Sequence, residues 1–264
     1  MNTPQEIAEL YIMVGDGKTS RRGRMLFGLG CFAGAFIALA GLCSQVVSCG
    51  VVPVALGRLL SGLVFPIGLM MVVIAGGELF TGNCLIFISV LSGSTYIKAM
   101  LRCWFFVYLG NLVGSVAVAV LVNFGHVLDL YGGKLAELTV SAAQAKVSMP
   151  FYVSFIKGIL CNFLVCVAIW VSFSTEEVEG KILSLYLPIT LFVACGFEHC
   201  VANMYFIPAG IIAKYIYHID AEGLDWLTMW YKNMIPVTLG NIVGGSGLVG
   251  LGYWLVYLTH HDED

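Results

Sequence analysis

Residues 76–83 read GGELFTGN, and residues 196–203 read GFEHCVAN. Each stretch sets a glutamate between long apolar runs, where a carboxylate is costly unless it is paired or hydrogen-bonded. The two stretches carry the same residue at three matching positions: Gly76 and Gly196, Glu78 and Glu198, Asn83 and Asn203. A polar interruption that recurs in apolar sequence indicates two related breaks in membrane-spanning segments, and these breaks decide the fold.

The composition around the breaks is that of an integral membrane protein. Of the 264 residues, 59% are hydrophobic and only 11% are charged, and the mean hydropathy is +0.91. A soluble domain needs far more charge to cover its surface. The formal net charge of −3 indicates little about partners for a chain mostly buried in lipid, and no nucleic-acid partner is expected.

Long charge-free runs predict the topology, because a spanning helix needs roughly 20 apolar residues. We expect an all-α membrane protein with six transmembrane segments, at about 25–49, 58–92, 98–124, 151–173, 182–216 and 233–258. The second and fifth segments are too long for one plain helix, and each is interrupted by one of the breaks.

Basic residues before the first segment predict the orientation in the plasma membrane. They are Lys18, Arg21, Arg22 and Arg24, and no comparable cluster follows the segment. The positive-inside rule then predicts a cytoplasmic N-terminus. An even number of crossings returns the C-terminal sequence THHDED to the cytoplasmic side.

An internal repeat accompanies this topology. GNLVGS at 110–115 recurs as GNIVGG at 240–245, in addition to the repeated breaks. The two halves, about 25–124 and 151–258, have three segments each. Because three is an odd number, the halves must insert in opposite orientations. We therefore expect one transmembrane channel domain, residues 1–264, built as an inverted repeat whose interrupted segments point to a transport site. The GxxxG spacings in both halves indicate close helix contacts.

The N-terminal residues form a separate short element. Ile7, Leu10, Tyr11 and Val14 fall on one helical face, which predicts an amphipathic helix over about 3–15 at the membrane surface. A disordered tail is the alternative. The segment lacks the basic start and apolar centre of a cleaved signal peptide.

The residue types within the breaks suit interrupted helices. Gly76 and Gly82 permit tight backbone turns, and irregular backbone at membrane depth needs protein or water around it. We expect Glu78 and Glu198 to clamp the breaks by bonding free backbone N–H groups, rather than to coordinate an ion. Half-helices that begin near the asparagine of each break would point their positive N-terminal ends at the midplane and favour anions.

Candidate pore residues lie in or near the breaks. His199 is the only histidine within an apolar span; it can donate to an anion and act as a pH switch, although a buried structural histidine is the plain alternative. Lys146 either snorkels to the interface or enriches anions at a pore mouth. Large apolar side chains can form constrictions that exclude water; they are Phe65, Leu69, Leu79, Phe80, Val165 and Phe192.

No cofactor or metal site is expected. The nine cysteines lie mostly in apolar spans without a CxxC pair and are interpreted as small apolar residues. A haem-bearing redox subunit needs axial ligands within the spans, usually paired histidines, and only His199 is available. A neutral-solute channel of the aquaporin type would carry NPA-like breaks, unlike those of this chain. An enzyme is the least favoured class, because no nucleophile–base pair or metal cluster is evident.

Five stretches together resemble the formate/nitrite transporter family. They are GELFTGN at 77–83, AK at 145–146, KGILCNFLVCVAIW at 157–170, GFEHCVANM at 196–204 and VTLGNIVGG at 237–245. The resemblance implies an aquaporin-like six-helix protomer that assembles as a homopentamer with one pore per subunit. It also implies passage of small monovalent anions of weak acids, including formate, nitrite and hydrosulfide.

The resemblance assigns the family's functional positions to residues of this chain. The pore histidine corresponds to His199, the vestibule lysine to Lys146, the loop threonine to Thr81, and an asparagine near the histidine to Asn162. The constriction positions correspond to the six apolar residues named above. We expect formate first. The choice among formate, nitrite and hydrosulfide stays open, as does whether His199 itself donates a proton to the anion.

Overall fold

The computed structural model describes residues 1–259, whose regular secondary structure is helical. Five helices are long and apolar enough to cross a membrane: α2 (Gly23–Ser48), α3 (Val54–Ala75), α5 (Ile97–Phe124), α7 (Phe151–Ser172) and α10 (Trp226–Tyr257). Two shorter apolar helices are α4 (Phe80–Leu91) and α9 (Cys200–Ile216). The other helices are α1 (Pro4–Thr19), α6 (Lys134–Val147) and α8 (Val178–Ala194). The C-terminal tail, which is predicted to lie on the cytoplasmic side, falls after Thr259 outside the described residues.

The predicted segments and the observed helices differ at the two long segments. Four predictions correspond to α2, α5, α7 and α10. The segment predicted at 58–92 is divided into α3 and α4, and the segment at 182–216 into α8 and α9, which have 17 residues each. Residues 1–259 therefore contain five helices of spanning length and composition, and the fifth predicted segment is present as two shorter helices.

Each break is a short extended segment entered through a left-handed glycine. Gly76 follows α3 with φ of +90°, and Leu79 is extended immediately before α4. Gly196 lies two residues after α8 with φ of +67°, and His199 is extended immediately before α9. Only glycine adopts such a positive φ at little steric cost, which explains the shared glycine at the start of both breaks.

Glycines bring α2 against α5 and α7 against α10. A Cβ on Gly34 of α2 would overlap the backbone of Asn111 on α5, and a Cβ on Gly244 of α10 would overlap the carbonyl of Ile159 on α7. The close contacts predicted from the GxxxG spacings are confirmed. They place the backbones of α5 and α10 beside α2 and α7, the helices that come before the two broken pairs α3–α4 and α8–α9.

Helix α1 is longer and more deeply packed than the surface helix predicted over about 3–15. It continues to Thr19 and buries Ile7 and Tyr11 against the protein. The Tyr11 ring stacks with Trp170 of α7 at a centroid distance of 6.2 Å. The apolar face of α1 is therefore covered by protein, and its position at the membrane surface stays a prediction.

Helix α6 was not predicted, because its sequence lacks the apolar run of a membrane span. It buries Leu135, Val140 and Val147 along one face and carries Lys146 in its last turn. Helix α6 precedes α7 as α1 precedes α2, and each of the two helices ends near a basic residue, Lys146 or Lys18.

Candidate functional site

Three cavities lie in line between the two broken helix pairs. The wide cavity has a volume of about 430 Å³ and the narrow cavity about 230 Å³, with a central chamber of about 10 Å³ between them. Phe65, Phe192 and His199 line both the wide cavity and the chamber. Leu69 and Leu79 line both the chamber and the narrow cavity. The three spaces therefore follow one another along one path, which is narrowest at its centre.

Apolar side chains surround the central chamber. Phe65 and Phe192 meet edge to face, with ring centroids 5.6 Å apart. A space of this size holds about one water molecule, so a larger solute requires side chains to move. The complete lining is Ile37, Phe65, Leu69, Leu79, Val165, Ile189, Phe192 and His199.

Five of the six side chains predicted as constrictions line the chamber, and Phe80 is the exception. The Phe80 ring packs against Trp104 and Tyr108 of α5, with centroid distances of 5.6 Å and 4.9 Å. Neighbouring side chains of an extended segment point in opposite directions, so Leu79 faces the chamber and Phe80 faces α5. Ile37 and Ile189 were not predicted and complete the lining.

His199 and Thr81 meet beside the chamber, one from each break. His199 Nε2 lies 3.0 Å from Thr81 Oγ1, and both side chains are buried. The backbone N–H of Ala202 donates to His199 Nδ1 over 3.0 Å. Because Nδ1 accepts, the neutral imidazole carries its proton on Nε2 and donates it to the threonine oxygen. The hydroxyl hydrogen of Thr81 is then free to donate to another acceptor.

Asn162 of α7 holds the Thr81 loop. Its side-chain amide donates to the carbonyl of Thr81 over 3.2 Å and to the carbonyl of Asn241 over 2.7 Å, and Asn162 is fully buried. Among residues 1–259, neither Asn162 nor Thr81 is one of those that line the three cavities, whereas His199 lines the chamber. The contacts of Asn162 position the threonine loop beside His199.

Glu78, in the first break, lies in a charged cluster at the narrow cavity. Its carboxylate accepts from Lys18 Nζ over 2.7 Å, from the Arg21 guanidinium, and from Asn83 Nδ2 over 2.8 Å. Glu78 is only 2% exposed, so these donors replace the water that a carboxylate requires. Both cations come from α1 or the turn after it, so docking of α1 completes the cluster.

Glu198, in the second break, has a corresponding cluster at the wide cavity. Lys146 Nζ of α6 donates to both carboxylate oxygens, over 2.9 Å and 3.1 Å. Asn203 Nδ2 donates over 2.7 Å, and Asn233 of α10 adds a longer contact of 3.4 Å. Lys146 is thus part of an ion pair at the cavity wall instead of a free ammonium group.

An asparagine of α5 satisfies the backbone groups that the first break leaves free. Asn111 Oδ1 accepts from the N–H of Phe80 over 2.9 Å. Asn111 Nδ2 donates to the carbonyls of Gly30 and Glu78, both over 2.9 Å. Asn111 is fully buried, and its three bonds join α2, α5 and the start of α4.

Asn241 of α10 makes the same set of contacts at the second break. Its Oδ1 accepts from the N–H of Cys200 over 2.9 Å, and its Nδ2 donates to the carbonyls of Gly158 and Glu198 over 2.8 Å and 3.0 Å. The expectation that glutamates bond the free N–H groups is therefore wrong. The carboxylates bind cationic and amide side chains, and the asparagines clamp the backbone, since an amide can both accept and donate.

The sequence contained a signal for these asparagines that was not used. Asn111 and Asn241 each stand within a charge-free run, at the same place in the repeated GN motif. A buried amide at membrane depth requires partners, so the repeated asparagine was itself a candidate site residue. Lys18, Arg21 and Asn233 were also missed as partners of the glutamates.

The described part of the chain offers no metal centre. Within residues 1–259, no three His, Cys, Asp or Glu side chains group in a way that could hold a metal ion. Each of the nine cysteines has a free thiol. The polar groups of the site include hydrogen-bond donors and cations, several of them paired with Glu78 or Glu198, and such donors suit an anion or its conjugate acid.

Related proteins match this chain along nearly its full length. The formate/nitrite transporter family matches residues 5–255. The formate channel FocA of Haemophilus influenzae is 39% identical, over 98% of this chain and 95% of its own length. The formate channel BtFdhC of Bacillus thuringiensis is 38% identical, over 98% of this chain and 97% of its own length. A probable formate transporter of Methanothermobacter thermautotrophicus is 40% identical, over 87% of this chain and 88% of its own length.

Two solved structures share both fold and sequence with this chain. A pentameric formate channel with formate bound is 37% identical, with a TM-score of 0.80 over 89% of this chain and 98% of that chain. An FNT family ion channel is 31% identical, with a TM-score of 0.85 over 95% of this chain and 98% of that chain. The likeness therefore covers most of the fold.

Proposed function

This chain belongs to the formate/nitrite transporter family, and on that premise we propose that it is a multi-pass membrane channel for small monovalent anions of weak acids, with formate first. The observation that carries the proposal is the hydrogen-bonded pair of His199 and Thr81 beside a chamber closed by apolar side chains. Such a site suits one small polar solute that has lost its water. Nitrite and hydrosulfide are the alternative substrates.

Charged side chains line the cavities on both sides of the chamber. Lys146 lines the wide cavity, and Lys18 and Arg21 line the narrow cavity. At the narrow cavity, two cations face the single carboxylate of Glu78, which leaves a positive balance in that cluster. Positive charge in a concave, low-dielectric wall raises the local concentration of anions.

The central chamber favours a neutral solute over an anion. A bare anion between apolar rings carries a desolvation cost of several kcal/mol or more. Loss of water also raises the proton affinity of the anion, since burial disfavours its charged form. The solute therefore takes up a proton as it enters, crosses the rings as the neutral acid, and ionises again on the far side.

The hydrogen bonds of His199 favour water over the histidine as the source of that proton. Its single proton lies on Nε2, and a neutral imidazole that released it would become a highly unfavourable anion. A second proton on Nδ1 would require the bond from the Ala202 N–H to break. We infer that the Thr81 hydroxyl, which does not line the closed chamber, donates to the solute once the apolar side chains move, and that His199 holds the threonine in this role. The proton comes from water in the cavity, and the hydroxide that remains returns to the bulk solution.

The matched contacts at the two breaks support an inverted repeat within one domain. Glu78 and Glu198 have equivalent lysine and asparagine partners, and Asn111 and Asn241 make equivalent backbone contacts. We infer six crossings of an aquaporin-like protomer, with the α3–α4 and α8–α9 pairs as the interrupted second and fifth segments. The pentameric assembly of a related channel supports a homopentamer.

The basic cluster before α2 supports cytoplasmic termini in the plasma membrane, the inner membrane of a cell with two membranes. The narrow cavity, which α1 covers, would then face the cytoplasm, and the wide cavity would face the outside. The related formate channels do not favour a haem-bearing redox subunit or a neutral-solute channel. We infer that the protein passes its solute without chemical conversion and is not an enzyme.

A flux comparison in proteoliposomes tests the function. Uptake of formate, nitrite and hydrosulfide is measured from acidic to neutral pH, and formate is expected to enter fastest and well above protein-free vesicles. His199→Phe should lower the uptake or change its pH dependence, whereas His126→Phe, at a loop histidine that is 67% exposed, should leave both unchanged. Uptake no faster than in empty vesicles for all three anions would refute the function, and unchanged transport in His199→Phe would refute the role of the histidine.

A further inference from the structure

Arg58 is a free cation at the wide cavity. Its side chain lines the cavity, is exposed, and approaches Gly196, the glycine that opens the second break. Within residues 1–259, Arg58 makes no ion pair, whereas the ammonium of Lys146 bonds both oxygens of Glu198. The guanidinium of Arg58 is therefore the uncompensated positive charge of this cavity wall, and its planar donors match a carboxylate.

Gln45 is an unpaired amide in the same wall. It lines the wide cavity and is 6% exposed, and neither Nε2 nor Oε1 has a hydrogen-bond partner within the protein. A buried amide without hydrogen-bond partners is destabilising, because it has lost its water and gained nothing in exchange. The terminal torsion of glutamine is broad, so the amide can turn toward the cavity with little strain. A solute oxygen there would satisfy its Nε2 donor.

A pair of serine contacts fixes Gln45 and Arg58 relative to each other. Ser44 Oγ donates to the carbonyl of Ser61 over 3.2 Å, and Ser61 Oγ donates to the carbonyl of Ser44 over 3.0 Å. These reciprocal bonds join α2 to α3. Gln45 follows Ser44 directly, and Arg58 stands one turn before Ser61. Phe65 lies one turn further along α3 and begins the constriction.

We propose that Gln45 and Arg58 form a second anion site in the wide cavity, which takes a monovalent carboxylate such as formate before it reaches the chamber. Arg58 supplies the charge, and the Gln45 amide replaces part of the water that the anion loses. The site lies about 10 Å from the constriction, since Arg58 and Phe65 are two helical turns apart. The proposal rests on the proposed channel function and adds to it the residues that first bind the anion.

The concentration dependence of formate uptake tests the site. In proteoliposomes, Arg58→Gln should raise the half-saturating formate concentration about fivefold and leave the maximal rate unchanged, because a partly screened charge contact contributes about 1 kcal/mol. Gln45→Leu, which keeps the volume and removes the amide, should also raise the half-saturating concentration. In the double variant, the rise should be smaller than the product of the two single rises, because both residues contact the same anion. Lys134→Gln, at an exposed lysine at the start of α6, is the matched control for lost charge. Equal half-saturation in wild type, Arg58→Gln and Lys134→Gln would overturn the site.

Protection of Arg58 from phenylglyoxal tests binding without flux. Purified protein is labelled with and without formate, and modification of the peptide that contains Arg58 is measured by mass spectrometry. Formate should slow the labelling of Arg58 in wild type and much less in Gln45→Leu. Failure of formate to protect, in a protein that transports formate, would overturn the site and leave the channel function standing. Protection without transport would support the site and refute the channel function.

Discussion

Replacing Asn111 with leucine should destabilise the protein strongly. Asn111 makes three buried hydrogen bonds to the backbone at the first break, and leucine makes none. At about 1 kcal/mol net for each bond, the lost contacts amount to about 3 kcal/mol. The N–H of Phe80 is the first amide of α4 and would be left unsatisfied, which adds about 1–3 kcal/mol. We expect a total loss of about 4–6 kcal/mol.

Asn123 on the same helix provides the matched control. It is also fully buried, but its Oδ1 has no partner, and its Nδ2 donates only to the carbonyls of Ala119 and Ala209. Both carbonyls lie inside helices and keep their helical partners when the side chain is removed. Counted in the same way, the two lost bonds of Asn123→Leu amount to about 2 kcal/mol, offset in part because the unpaired Oδ1 is also removed.

The comparison is made on detergent-solubilised protein heated in steps. The folded fraction is followed by size-exclusion chromatography and by the reaction of buried cysteines with a thiol dye, since five of the nine thiols are buried. The midpoint of Asn111→Leu should fall far below that of Asn123→Leu. Equal midpoints for the two variants would refute the assignment of Asn111 as the clamp of the break.

Three further predictions concern the site and its support. Thr81→Val should reduce formate uptake about tenfold or more, because it removes a hydroxyl donor at constant shape. Thr81→Ser keeps the hydroxyl and should retain most of the uptake. An equal loss of uptake in both variants would contradict the role of the hydroxyl. Gly34→Ala should lower the thermal midpoint, because its Cβ would overlap the backbone of α5, while Gly28→Ala, with no neighbouring atom within 4 Å, should not; a similar fall in both would contradict this. Lys146→Met should reduce the stability by about 3–5 kcal/mol, because it leaves the Glu198 carboxylate uncompensated. Adding Glu198→Gln should recover part of that loss. A double variant whose loss of thermal stability equals the sum of the two single losses would contradict the coupling.

Most of the spanning helices could be predicted, because a helix that crosses the membrane requires a long run of apolar residues without charge, and such runs are easily recognised in the sequence. The spans around Gly34, Gly114 and Gly244 were placed correctly, and so were the glycines that open the breaks. Helix α6 was missed because its apolar stripe, which includes Val140, is too weak for a search based on spans. The docking of α1 was missed because a tertiary contact such as Tyr11 on Trp170 leaves no mark in local periodicity.

The sequence predicted which types of residue form the candidate site, but it predicted less well which side chains contact one another there. The resemblance assigned both His199 and Thr81 to the pore, and the structure brings the two side chains together, while their roles in transport stay predictions. The cationic partners of Glu78, Lys18 of α1 and Arg21 of the turn after it, lie about 60 residues away in the chain, and local sequence does not specify such pairings. The direction of the Phe80 side chain depends on the alternation within the extended segment, which is visible only once the break has a definite register.

The clamps of the breaks also impose an order on biosynthesis. Asn111 is translated after the break that it closes, so the first half-helix enters the membrane with its leading amide unsatisfied until α5 arrives. The carbonyl of Thr81 gains its partner later, when Asn162 of the second half is made. Asn162 also donates to the carbonyl of Asn241, which lies near the end of the chain. A nascent chain that stops before α10 therefore lacks the Asn162–Asn241 contact, and we expect truncated products to be poorly folded rather than to form leaky pores.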